Sequence, residues 1–161
     1  IQNDSPIQGP YNVNKEGSGD MYNKGGVLHN MIRTMIDDDD KWRNILRGLN
    51  KEFYHQTVDY GDIVNYMSKE SGIKLDKTFE QFVQTKSIPT LEVIENSPGV
   101  FMIRWISEVK DFQMPVHIFD KDGKRLRIDP TDKFKVMKLD GLTKDNFKVD
   151  TYNYYIGTSI Q

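Results

Sequence analysis

Apolar residues first recur at helical spacing at Val27, Leu28, Met31, Ile32, Met35 and Ile36. Side chains three and four residues apart share one helix face, so this pattern predicts an amphipathic helix over 21–36. Asp20, just ahead of it, is the expected N-cap. Trp42, Ile45, Leu46, Leu49 and Phe53 form a narrower stripe behind the run Asp37 to Asp40. Lys41, Arg43, Arg47 and Lys51 lie mostly away from that stripe, as on a surface helix. A third helix is predicted over 60–71, with Tyr60, Ile63, Val64 and Met67 inward and Gly72 past its end. A fourth covers 76–85, with Phe79, Phe82 and Val83 inward. The connections are short, which predicts roughly antiparallel packing of neighbours.

The period changes at "SIPTLEV", residues 87 to 93, and from there the chain reads as short strands. Phe101, Ile103 and Trp105 alternate with Met102 and Arg104. Val116 and Ile118 precede "DKDG", a turn signal ending in Asp122-Gly123. Leu126 with Ile128, Phe134 with Val136, and Tyr152 with Tyr154 continue the period of two. Six or seven short strands joined by turns suggest a small all-β sandwich. The expected fold class is therefore α+β: about four antiparallel helices, then the sandwich. The expected divisions are an irregular segment over 1–19, a helical part over 20–87 and a sandwich domain over 88–161.

Composition narrows the possible partners. The chain has 161 residues, 37% hydrophobic and 29% charged, with a net charge of -2. Charges of both signs are mixed and no basic stripe stands out, which argues against a nucleic-acid partner. There is no cysteine, so disulfides and thiolate metal sites are excluded, although the compartment is not fixed by this. No apolar run reaches the roughly 18 residues of a membrane span. The chain begins with Ile1 rather than methionine, which suggests processing or a piece cut from something longer.

Most candidate chemistry has a plain structural explanation. His29, His55 and His117 show no metal-ligand spacing; the first two fall in predicted helices and the third in a predicted strand. Asp37 to Asp40 lacks the alternating ligands and central glycine of a calcium loop and suits a helix N-terminus instead. "FDKDGKRL" is too short for such a loop and fits a hairpin. No nucleophile elbow or phosphate-binding glycine loop is present.

Tyr22 is different. At about 100° per residue it points roughly 130° from the centre of the first helix's apolar arc, with Gly25, Gly26 and His29 to its side. Glycine in a helix costs about 1 kcal/mol against alanine, so two in succession need a reason. Spacing alone leaves two: close approach of another backbone, or room for a ligand beside the tyrosine hydroxyl.

The segment "MYNKGGVLHNMI" resembles the Tyr-x-Lys-Gly stretch of the aminopeptidase N-like zinc metallopeptidases, the gluzincin family. The likeness continues through "DKWRNILRGLNKEFYHQTVDYGDIVNYMSKESGIKLDKTFEQFV" and into "KSIPTLEV", similar to that family's Gly-x-Pro-x-Leu-x-Val lead into a β-sandwich. It covers residues 20 to 95 well and the remainder loosely. The resemblance implies that Tyr22 is catalytic, donating a hydrogen bond to the oxyanion of a peptide undergoing hydrolysis. It also implies Zn2+ as the cofactor of a longer parent, held by a His-Glu-x-x-His motif plus a downstream Glu. This chain has neither that motif nor a Gly-x-Met-x-Asn strand. The expectation is a C-terminal part of such a peptidase, binding no zinc and inactive alone, with peptide substrate reached through the parent and an extracytoplasmic location favoured. The competing reading is a non-catalytic helical-plus-sandwich protein-interaction module.

Overall fold

A computed structural model describes all residues, 1–161. Helix α1 runs over Met21–Ile36, α2 over Asp39–Glu52 and α3 over Tyr60–Ser71. A short α4, Asp76–Phe79, widens directly into a π-helical segment, Glu80–Gln84. Seven strands follow: β1 Thr90–Ser97, β2 Val100–Ile106, β3 Val116–Phe119, β4 Arg125–Ile128, β5 Lys135–Lys138, β6 Lys148–Val149 and β7 Gly157–Ile160. The molecule is α+β, with the helices first. No helix is long and apolar enough to cross a membrane.

The helix ends follow local chemistry. Asp38 accepts from the Lys41 N–H and caps α2, with Asp39 and Asp40 in the first turn. Asp37 does not belong to that cap; it ends α1 in the left-handed conformation. Asp59 and Asp62 form a reciprocal capping box on α3, and Gly72 closes that helix at φ 74°. Asp20 occupies the N-cap position of α1, but its side chain makes no capping hydrogen bond. Its carboxylate instead accepts the backbone N–H groups of Gln2 and Asn3, tying the irregular segment 1–19 to the start of α1. Those hydrogen bonds hold its pKa below the ordinary carboxylate value.

The strands form two sheets, ordered β5-β2-β1-β7 and β4-β3-β6. β1 and β2 are an antiparallel hairpin in which Leu91 faces Trp105 and Val93 faces Ile103. β7 adds to β1 in parallel, and β2 pairs β5 antiparallel. In the second sheet β3 pairs β4 and β6, both antiparallel. One contiguous core joins Leu28, Met31 and Met35 of α1 to Phe82, to Phe101 and Trp105 of the first sheet, and to Val116 and Ile118 of the second.

Two strand expectations and one helix expectation are corrected. Phe134 precedes β5, and with Val136 it faces outward; Met137 is the residue packed on the core. Phe134 is covered on that outer surface by the Arg104 guanidinium, 4.3 Å from its ring centroid. Tyr152 and Tyr154 lie in a turn, not a strand. Their opposite exposures come from the turn's anchoring, described below. His55 also lies beyond the end of α2, at φ 53°.

Candidate functional site

Tyr22 is the second residue of α1 and is 79% exposed. Its hydroxyl makes no hydrogen bond within the chain. A Cβ added to Gly25 or Gly26 would meet no atom within 4 Å, so neither glycine is there for close approach of another segment of this chain. The glycine pair leaves the flank of α1 beside Tyr22 without side chains. One turn on, His29 Nδ1 pairs with the Gly25 carbonyl at 2.8 Å, and the ring meets Trp42 edge-on at 6.1 Å.

Lys24, in the middle of the same motif, points the other way. It is 0% exposed, and its ammonium donates to the Thr85 carbonyl at 3.1 Å, where the π-helical segment ends. Burial lowers its pKa, opposed by the nearby charges of Asp20 and Glu108. Lys24 thus clamps the first turn of α1 to the end of the helical part, with its methylene stem in the core. The spacing carried a signal that hydropathy hid: 24, 28, 31 and 35 lie on one helix face, and Lys24 extends the apolar stripe by a turn.

A cleft of about 460 Å³ opens beside Tyr22. Tyr22, Asn23, Gly26, Val27 and Asn30 of α1 form one wall, and the turn 151–155 forms the other. The spacing of Tyr152 and Tyr154 concealed this turn as a strand. It is held from several sides. The buried Asp150 carboxylate accepts from the backbone N–H and side-chain amide of Asn153, and the Asp150 N–H donates to the His117 carbonyl at 3.0 Å. Tyr154 is buried with its hydroxyl 2.9 Å from His117 Nδ1. Burial raises the pKa of Tyr154 and, with Arg125 nearby, lowers that of His117. Tyr155 accepts from the Asn3 side-chain amide at 2.7 Å.

A polar recess adjoins this cleft, sharing Asn30 and Asn153 with it. Its charges are already matched. Arg33 grips Asp39 through two hydrogen bonds of 2.7 Å, and Arg125 meets Asp37 at 2.6 Å. Arg127 donates to the Met35 carbonyl at 3.2 Å. These contacts join the end of α1 to β4. No group of three His, Cys, Asp or Glu side chains is arranged to hold a metal ion. With His29 on a backbone carbonyl and His117 on Tyr154, the residues of this chain do not fit a zinc site.

The first helix and the 151–155 turn, the latter anchored on β3, therefore present two exposed tyrosines, Tyr22 and Tyr152, beside a neutral cleft. No protein-family model matches the sequence. No curated protein matches it either. Among solved structures, the chain is similar to aminopeptidase A from Legionella pneumophila, crystallised in complex with aspartic acid. The TM-score is 0.67 at 13% identity, over 89% of this chain. The match spans only 18% of the length of that aminopeptidase. The shared feature is the fold: this helical-then-β arrangement also occurs as a segment of a much larger aminopeptidase.

Proposed function

We propose that residues 1–161 are the part of an aminopeptidase-like zinc metallopeptidase that carries its oxyanion-stabilising tyrosine, Tyr22. The observation that carries this reading is Tyr22 itself. It is an exposed, unpaired hydroxyl in the first turn of a helix, beside two glycines that face open space. The fold shared with a segment of an aminopeptidase supports it, and so does the resemblance of "MYNKGG" to the gluzincin Tyr-x-Lys-Gly motif.

On this reading the chain supplies one hydrogen-bond donor to the negative charge that develops on a peptide carbonyl oxygen when water adds to it. A donor held ready at that point acts on the transition state more than on the ground state. Lys24 fixes the backbone that carries Tyr22, so little reorganisation accompanies the reaction. Zinc, its ligands and the group that activates water belong to residues outside 1–161, and the two-sheet part serves as the parent's β-sandwich domain.

The test is the reading frame upstream of Ile1, which should encode His-Glu-x-x-His. Its absence, together with undiminished function in a Tyr22→Phe variant, would favour the interaction module instead. Tyr152, exposed on the 151–155 turn, is the feature that reading would use.

A further inference from the structure

Tyr152 is 95% exposed, and its side chain makes no hydrogen bond. Yet it sits on a turn anchored on both sides by hydrogen bonds. Asp150 holds one side of the turn, Tyr154 plugs inward onto His117, and Tyr155 is tied to Asn3. An aromatic ring offered to solvent from a rigid turn is a feature of recognition surfaces, because little conformational entropy is lost when it is covered. The lining is unusual for this chain. Twenty-nine per cent of all residues are charged, whereas none of the ten residues around the cleft is. Tyrosine rings supply flat apolar contact, and Asn23 and Asn30 supply amide donors and acceptors, while the Asn153 amide is taken up by Asp150.

We propose that the cleft between Tyr22 and Tyr152 is a subsite for an uncharged, preferably aromatic, side chain of a peptide, with Tyr152 as its specificity-determining residue. This rests on the peptidase reading for the choice of a peptide as occupant. A neutral lining gives no return for desolvating a charged side chain, so acidic and basic residues are disfavoured there. The adjoining recess does not change this, because Arg33 and Arg125 are each engaged by an aspartate.

The probe is an acetylated, amidated pentapeptide Ala-Ala-Phe-Ala-Ala, with Asp and Lys versions of its central residue, titrated into the 161-residue chain and followed through backbone amide resonances. The Phe peptide should shift the amides of Gly25, Gly26 and 151–155 and bind about three- to tenfold more tightly than the Asp or Lys peptide, a range set by one aromatic contact. Tyr152→Ala should weaken the Phe peptide to the level of the others, while Tyr152→Phe retains binding. The unfolding midpoint should hold in both variants, since the ring touches nothing. Equal binding of the three peptides, shifts elsewhere on the surface, binding of an oligosaccharide but no peptide, or full affinity in Tyr152→Ala would each overturn the subsite.

The two readings fail separately. In the longer protein, Tyr152→Ala should raise KM for Phe-containing peptides more than it lowers kcat, whereas Tyr22→Phe lowers kcat. A Tyr22 effect without any at Tyr152 removes the subsite alone. Selective peptide binding by a protein that cleaves none removes the peptidase reading alone.

Discussion

Two helices of this molecule carry glycine beside tyrosine, with opposite consequences. In α2, a Cβ on Gly48 would collide with the hydroxyl of Tyr66 from α3. Tyr66 also packs edge-on against Phe53, with centroids 5.7 Å apart. Here the glycine leaves room for the Tyr66 ring tip to lie on α2. In α1, Gly25 and Gly26 stand next to Tyr22 and face nothing within 4 Å. Each glycine costs about 1 kcal/mol of helix propensity. At Gly48 that cost is offset by contact with α3. At the α1 pair no contact within the chain offsets it, and the proposed subsite is what would give that open face an occupant.

The largest effect should come from removing the hydroxyl that the open face serves. On the proposed peptidase reading, Tyr22→Phe in the longer parent should lower kcat by about 10²–10³ with little change in KM, the loss expected for one oxyanion donor. The unfolding midpoint should stay put, because the side chain is exposed. A steady kcat with a lowered midpoint would make Tyr22 a structural residue and erase the contrast with Tyr66.

The filled face should respond in stability instead. Gly48→Ala forces Tyr66 to move and should destabilise the chain by about 1–3 kcal/mol in denaturant unfolding, as overpacking does. Adding Tyr66→Phe removes the colliding oxygen and should recover part of the loss, a coupling that a double-mutant cycle reads directly. Independent, additive effects would mean that the two helices do not meet at this point.

Lys24 sharpens the comparison from the inner side of α1. Its pKa is lowered in the folded state by burial, so between that lowered value and the ordinary 10.5 the unfolded chain holds more protons. Stability then rises with pH across that window. Lys24→Met should flatten this slope. Tyr60, pushed up to about 12, and Tyr154, raised by burial, act oppositely above pH 10, because the unfolded chain loses those protons first. The difference between wild type and variant, measured by chemical unfolding from pH 8 to 10, isolates Lys24. Parallel pH profiles would show that its ammonium reaches water.

The same contrast explains what could be read from the sequence. The bounds of α1 and α3 were legible from apolar spacing, and Gly72 marked the end of α3. The inward set Phe101, Ile103 and Trp105 was legible because one face of β2 is buried and the other is not. His117 was not, because β3 is buried on both faces: Val116 and Ile118 enter the core, while His117 meets Tyr154. Asp20 looked like a cap because the distant partners that claim its carboxylate, Gln2 and Asn3, leave no local pattern. Tyr22 could be placed off the apolar stripe by arithmetic, but the second wall of its cleft is about 130 residues away in sequence and no periodicity announces it.

The smallest effect is also the most discriminating, because its sign is unusual. Gly25 and Gly26 lie in helical backbone with open space where a methyl group would go. Alanine there removes unfolded-state freedom and adds helix propensity without a clash, so each substitution should stabilise the chain by about 0.5–1 kcal/mol. For a chain of this size that is a rise of roughly 1–4 °C in Tm. Gly26 lines the cleft and Gly25 does not. Gly26→Ala should therefore weaken binding of a neutral aromatic peptide while raising Tm, and Gly25→Ala should raise Tm with a smaller effect on binding. A stabilising substitution that harms binding is the expected signature of a position kept empty for a ligand. If both variants gain stability and bind peptide as well as wild type, the open face has no occupant and the α1 glycines have no role that the fold explains.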